Sequence, residues 1–304
     1  MFDLTIAENC STECYDFVIS SLLKYMGFKY EAYNLKYLYF DYLNSMPAEP
    51  ILGLKRGNDA FSMLQLLFNI KARYFMREEL IDLKEKIETE LKYRPLAFIM
   101  NSYYCPWSPY RSKLCFPHMF FVVGIKKTGK LICFDVHYEE MGYAEIDFEF
   151  LENHFEGAFI FDFANASNPD NDYLLSSLSQ GLLAFNAEEQ LQKNLALYDY
   201  FLHSEKELLF PDNLETSIPL KYLLWISEDK KNFHSFLRLV ESESLLPSTY
   251  ELFSAASKNF LILRGYLMKY AITGILKEDL VKKTINNISE TDKKIWTRLS
   301  KIVS

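Results

Sequence analysis

Apolar positions in the first half of the chain recur with two different periods. From Tyr15 to Met26, the residues Phe17, Val18, Leu22, Tyr25 and Met26 share one stripe, which predicts an amphipathic helix. Gly27 follows, where a helix C-terminus favours a left-handed residue. Asp59 is placed to cap a second helix running through Phe61, Leu64, Leu67 and Phe68. Glu78 to Leu91 predicts a third, with acids early and Lys92 and Arg94 near its end, as the helix dipole favours. The pattern then changes to apolar runs of strand length: Pro95 to Met100, Met119 to Ile125, Leu131 to Val136 and Glu156 to Asp162. A hairpin-type turn, Lys126 to Lys130, joins the middle two. Helices followed by a sheet of hairpins predict an α+β domain.

After the polar stretch Asn165 to Asp172 every remaining pattern is helical. The segments are Leu174–Leu183, Glu188–His203, Lys221–Trp225, Ser235–Leu245, Thr249–Tyr270 and Leu276–Leu299. The expected organisation is a domain over 1–165 and a mainly α-helical region over 166–304, with no internal repeat.

Composition narrows the class. The chain has 304 residues, 49% hydrophobic and 24% charged, with 16% aromatic, so it is a folded chain with a large core rather than a disordered one. No apolar run approaches the roughly 18 to 20 residues that span a bilayer. The first ten residues lack a basic patch ahead of an apolar stretch, so neither a membrane span nor a secretory signal is expected. A net charge of −8 argues against nucleic-acid binding. Five cysteines, an odd number at irregular spacing, do not form a disulfide framework. The expectation is a soluble cytoplasmic protein with reduced thiols.

Phosphate-binding glycine loops, a GxSxG elbow and HExxH are all absent. Cys10, Cys14, Cys105 and Cys115 have the wrong spacing for a zinc site, so no metal is expected, and Cys105, Cys115 and Cys133 are read as structural. Nucleophilic catalysis is the remaining sharp signal. Cys14 stands where the first helix begins, and the unpaired N–H groups there favour a thiolate. His118 opens one strand of the hairpin and Asp135 closes the other, so the turn at Gly129 returns them side by side. The carboxylate is then expected to accept Nδ1–H and leave Nε2 for the thiol. Cys10 is a rival nucleophile and His137 an alternative base.

The string NCSTECYDF, Asn9 to Phe17, resembles the nucleophile segment of the papain superfamily. The helix to Gly27 and HMFFVVGIKKTGKLICFDV, His118 to Val136, are similar to the C39-like peptidases. With the aromatic run Asn101 to His118, the plan most resembles papain-like, C39-like cysteine acyltransferases of natural-product biosynthesis. That resemblance implies a papain-like fold over 1–165. It implies a triad of Cys14, His118 and Asp135 that moves an acyl group from a carrier-protein thioester to a small amine. No cofactor is implied beyond the phosphopantetheine arm of the acyl or peptidyl carrier protein. Where papain-like enzymes place an oxyanion-hole Gln, this chain has Glu8 and Asn9, and Asn9 is the residue able to donate. Tyr104 and Trp107, with Tyr103 and Tyr110, are candidates to line an acyl pocket. The basic stretch Lys277–Lys301, with seven Lys or Arg against four Asp or Glu, offers a surface for an acidic carrier. The same triad would serve a cysteine peptidase or thioesterase, and a papain-like shell can also be a non-catalytic binding protein.

Overall fold

Six strands, β1 (Lys71–Met76), β2 (Leu96–Asn101), β3 (Pro117–Ile125), β4 (Leu131–Phe134), β5 (Tyr143–Ile146) and β6 (Phe155–Asp162), form one antiparallel sheet. Their order is β1-β6-β2-β3-β4-β5. Eight helices accompany them among the described residues: α1 (Cys14–Tyr25), α2 (Arg56–Phe68), α3 (Leu83–Glu90), α4 (Phe148–His154), α5 (Asn171–Ala184), α6 (Ile218–Val240), α7 (Leu246–Thr273) and α8 (Glu278–Val303). This computed structural model describes residues 1–8, 14–38, 56–80, 82–113, 115–135, 142–184, 217–240 and 246–303. The chain is an α+β protein of two units, one of Met1–Tyr33 with Arg56–Pro169, the other of Asn34–Lys55 with Asp170–Ser304.

The first unit holds the whole sheet. On one face Leu96, Phe98, Phe120, Val122, Leu131 and Cys133 form a core with Leu83 and Ile87 of α3 and Leu151 of α4. α1 packs on β3, and Phe17 stacks on Phe134 with ring centres 5.6 Å apart. The expected hairpin is present: the Lys126 N–H donates to Lys130 O at 2.8 Å, and Gly129 has the positive φ of +86° that the turn needs.

Several expectations are corrected. β1 was missed because its residues are mostly exposed and include Lys71 and Arg73, the composition of a charged edge strand. β5 was missed because it is only four residues long. The expected helix Glu78–Leu91 is shortened. Arg77–Glu79 is a single 3-10 turn, and Asp82 takes a left-handed conformation at φ +55°, so α3 starts only at Leu83. Asp59 lies inside α2 rather than at its cap. His118 lies within β3 rather than ahead of it, and β4 ends at Phe134.

The second unit is helical, with α6 packed on α7, α7 on α8, and α5 against α6 and α8. Leu220, Leu223, Phe260, Leu263, Leu267, Val281, Ile285 and Ile288 meet in its core. The segment expected over Lys221–Trp225 and the described part, to Val240, of the one expected over Ser235–Leu245 belong to one continuous helix, α6. The polar residues between them are internal: Lys230 pairs with Asp292 at 2.6 Å and Asp229 with Lys36 at 3.6 Å, all but Asp292 nearly fully buried. The helix expected over Glu188–His203 lies outside the described residues. Among the described residues no helix is long and apolar enough to cross a membrane.

Phe120 is fully buried and meets the Trp107 ring edge-to-face at 5.3 Å. Phe120→Ala is expected to cost about 3–5 kcal/mol, seen as a lower urea midpoint at unchanged slope.

Candidate active site

Cys14 is the first residue of α1, so its position follows from how that helix is seated. Phe17, Val18, Ile19, Leu22 and Leu23 are buried, the Ala7 N–H donates to Ser21 Oγ at 3.2 Å, and the Tyr33 hydroxyl donates to buried Asp16 at 3.1 Å. Phe17 stacks on the residue just before Asp135, so the packing that seats the thiol also braces the end of β4. There the Asp135 N–H donates to Gly142 O at 2.7 Å. Gly142 has φ +74°, and a Cβ on it would come within 2.8 Å of the Phe134 ring, so this turn requires glycine.

The register brings His118 and Asp135 to one face. Met100 pairs with His118, Val122 with Cys133, and side chains alternate, so His118, Phe120, Val122, Cys133 and Asp135 project together. A register shift between Val122 and Gly124 sets the two strands off by one residue, and histidine and aspartate meet diagonally. His118 Nε2 lies 2.5 Å from Asp135 Oδ2, with the histidine 1% and the aspartate 0% exposed. The Trp107 indole N–H donates to the same carboxylate oxygen at 2.7 Å. Cys14 and Cys105 both act on the His118 side chain as thiol neighbours that raise its pKa. Cys105 is buried, whereas Cys14 is half-exposed.

The electrostatics follow from this enclosure. Burial alone would lower the His118 pKa, but the adjacent Asp135 charge and hydrogen bond outweigh it. The contacts with Cys105 and Cys14 act in the same direction, and the pKa stands well above 6.5. Folding therefore favours the protonated ring over the neutral one. Burial, and after it the charges of Asp135 and Cys105, push the Cys133 thiol up, so Cys133 stays protonated in the core.

The structure thus brings Cys14, His118 and Asp135 into one group, with two corrections. Asp135 binds Nε2, not Nδ1, which leaves Nδ1 as the nitrogen free of the carboxylate. His118 is buried rather than open to a cleft, because the loop after β2 covers it. Trp107 is placed as a donor to the carboxylate rather than as a pocket wall. Tyr104 stacks on His154 at 4.6 Å, outside the hydrogen-bonded group, and Tyr110 packs on Phe116. Asn9, Cys10 and His137 lie outside the described residues, and Glu8 is exposed.

Cys105 is the member that sequence reading missed. Its signal is local: Cys105 and Trp107 lie in the loop that leaves β2, the strand paired with His118, and the Ser102 N–H donates to Phe116 O at 2.9 Å, folding that loop back. Sγ of Cys105, a ring nitrogen of His118 and a carboxylate oxygen of Asp135 lie within 4.8 Å of one another, a donor set with the chemistry of a metal site. An open depression lined by Phe61, Ser62, Gln65, Leu66, Lys71 and Ala72 shares no residue with the group. The chain matches no known family model and no curated protein.

Because the His118 pKa is raised on folding, the charged pair stabilises fully below about pH 6.5, and that contribution is lost as pH rises through the folded pKa. Unfolding free energy is expected to fall above that pH by up to about 1.4 kcal/mol per pH unit from this group. Asp135→Asn removes one partner of a buried pair and is expected to cost about 3–5 kcal/mol. It also leaves burial dominant at His118, which reverses the sign of the slope. Urea midpoints between pH 4 and 9 check both, since the reversed slope lies below about pH 6.5.

Proposed function

We propose that the protein is a papain-like cysteine acyltransferase that forms amides from carrier-bound acyl thioesters. The observation that carries this reading is the His118 ring, hydrogen-bonded to Asp135 and with its pKa raised further by the neighbouring, half-buried Cys14. Donor and acceptor classes come from the resemblance of Asn9–Phe17 and His118–Val136 to the acyltransferase branch of the C39-like proteins.

In the first half-reaction the Cys14 thiol passes its proton to His118 and its sulfur attacks the carbonyl carbon of the thioester. The bond from that carbon to the pantetheine sulfur breaks, and His118 gives its proton to the leaving thiolate. The Cys14 backbone N–H, one of the first in α1 and without an intrahelical partner, is the donor for the oxyanion, with Asn9 as its side-chain companion. In the second half-reaction the amine attacks the acyl-Cys14 thioester, the now neutral His118 takes its proton, and Cys14 leaves as thiolate. Asp135 holds the ring through Nε2 in both steps.

α8 supports a carrier-protein partner. Lys283, Lys293, Lys294 and Lys301 are exposed on the side away from its buried stripe of Val281, Ile285, Ile288 and Leu299, while Asp292 is engaged by Lys230. The exposed lysines of α8 outnumber its exposed acids, Glu278, Asp279 and Glu290, which suits an acidic carrier.

Incubation with a loaded carrier is expected to add the acyl mass to the intact protein, and Cys14→Ala is expected to abolish the adduct. Supplying the amine should give the amide. An adduct that yields mostly free acid in the presence of amine identifies a hydrolase, and an adduct retained by Cys14→Ala rejects Cys14 as the nucleophile.

Charge reversal of Lys283, Lys293 and Lys294 to Glu is expected to slow acylation from the carrier about tenfold at low salt. The rate with a free pantetheine thioester should be unchanged, as read by stopped mass-spectrometric time courses.

A further inference from the structure

We propose that Cys105, His118 and Asp135, with Cys14 as fourth donor, form a binding site for a thiophilic divalent cation, with Zn²⁺ the ion that fits it best. Three of these residues supply ligand atoms within 4.8 Å of one another, from the loop after β2, from β3 and from the end of β4. Cys14 also acts on the His118 ring but stands outside the set of atoms that lie within 4.8 Å of one another, so its sulfur must turn inward to complete the coordination.

The fit can be judged from bond lengths. Tetrahedral Zn²⁺ binds sulfur at about 2.3 Å and nitrogen or oxygen at about 2.0–2.2 Å, which sets its ligands roughly 3.3–3.8 Å apart. The three donors lie within 4.8 Å of one another, and they must adjust to reach that spacing. The 2.5 Å contact between His118 and Asp135 must open by about an ångström as the ion takes the place of the bound proton. Two sulfurs, one imidazole and one carboxylate suit zinc and not the hard oxygen-seeking cations. The Trp107 indole N–H stays on the carboxylate and supplies the outer hydrogen bond that orients such a ligand. Cys133 remains a protonated thiol of the core and stands outside the set. Packing alone does not call for a thiol at position 105, since an alanine or valine would fill buried space without placing sulfur against a histidine and an aspartate. The ion has a route in, because Cys14 reaches solvent.

The step balances as an exchange of ions. Zn²⁺ enters, and the protons on His118, Cys105 and Cys14 leave to solvent, so affinity rises with pH. Occupancy would also silence the acyl chemistry, a consequence that rests on Cys14 being the nucleophile; the binding itself does not.

Co²⁺ titration of the reduced, chelator-treated full-length protein tests the site. The expected result is one Co²⁺ per chain, with thiolate-to-cobalt charge-transfer absorption and the visible bands of a tetrahedral site, displaced by one equivalent of Zn²⁺. Cys105→Ser should remove about half of the charge-transfer intensity and weaken binding at least about tenfold. Cys14→Ser, at the half-exposed position, should do the same without touching the core and carries the test should the first variant lose its native circular dichroism. Cys115→Ser, at an exposed thiol, should leave the spectrum unchanged. Absence of saturable one-to-one binding overturns the proposal. So does a spectrum that survives Cys105→Ser and Cys14→Ser intact, or one abolished by Cys115→Ser. None of these readouts uses turnover, so failure here leaves the acyl-enzyme reading standing, and absence of an acyl adduct leaves this site standing.

Discussion

A histidine and an aspartate, both removed from water and 2.5 Å apart, set the terms for everything around them. Taking two charges out of water costs several kcal/mol per ion, and their mutual attraction offsets this only with good geometry and further hydrogen bonds. The Trp107 indole supplies one to the carboxylate, and two cysteines neighbour the ring. The loop after β2 is therefore not a passive cover. Without it the carboxylate would lose a donor and gain water, and the imidazolium would lose the low-dielectric surroundings that strengthen its pairing. Sheet end and aromatic loop act as one element.

The direction of approach follows from the same enclosure. Asp135, Cys105 and the ring itself are sealed, and the half-exposed Cys14 is the member of the group open to solvent. In the proposed reaction a carbonyl would meet the sulfur first, over the start of α1, with proton traffic passing through the Cys14 side of the imidazole. α1 is in turn fixed by apolar packing and by two internal hydrogen bonds from Ala7 and Tyr33. The position of the reactive sulfur is thus set by a helix docked on the sheet face of Phe121 and Phe134, and that of its partner by the opposite face.

Much of this was legible in the sequence because it depends on local pattern. Phe17, Val18 and Leu22 of the expected stripe are buried and mark α1, with left-handed Gly27 beyond its end, whereas Tyr25 and Met26 are exposed. The turn at Gly129 joins two apolar runs and carries His118 back to Asp135. What was not legible depends on contacts made elsewhere. β1 is stabilised by its pairing with β6, not by its own composition. The face on which Asp135 meets His118 depends on a one-residue register shift in β3, which no periodicity announces. Cys105 depends on the fold of an aromatic loop. The polar run inside α6 looked like a break because its charges find partners far along the chain.

The two units bury charge in different ways, and the difference separates scaffold from chemistry. Lys230 with Asp292, and Lys36 with Asp229, are each a cation matched to an anion in a helical core. Such pairs add little net stability over apolar substitutes and serve to fix which helix faces which. At His118 the pairing is uneven: one carboxylate oxygen receives both ring and indole, and the ring is left with capacity turned toward sulfur. A scaffold gains nothing from that surplus. A group that must hand a proton to a thiolate, or hold a cation between sulfur and nitrogen, requires it, and the half-exposed thiol beside it supplies the way in.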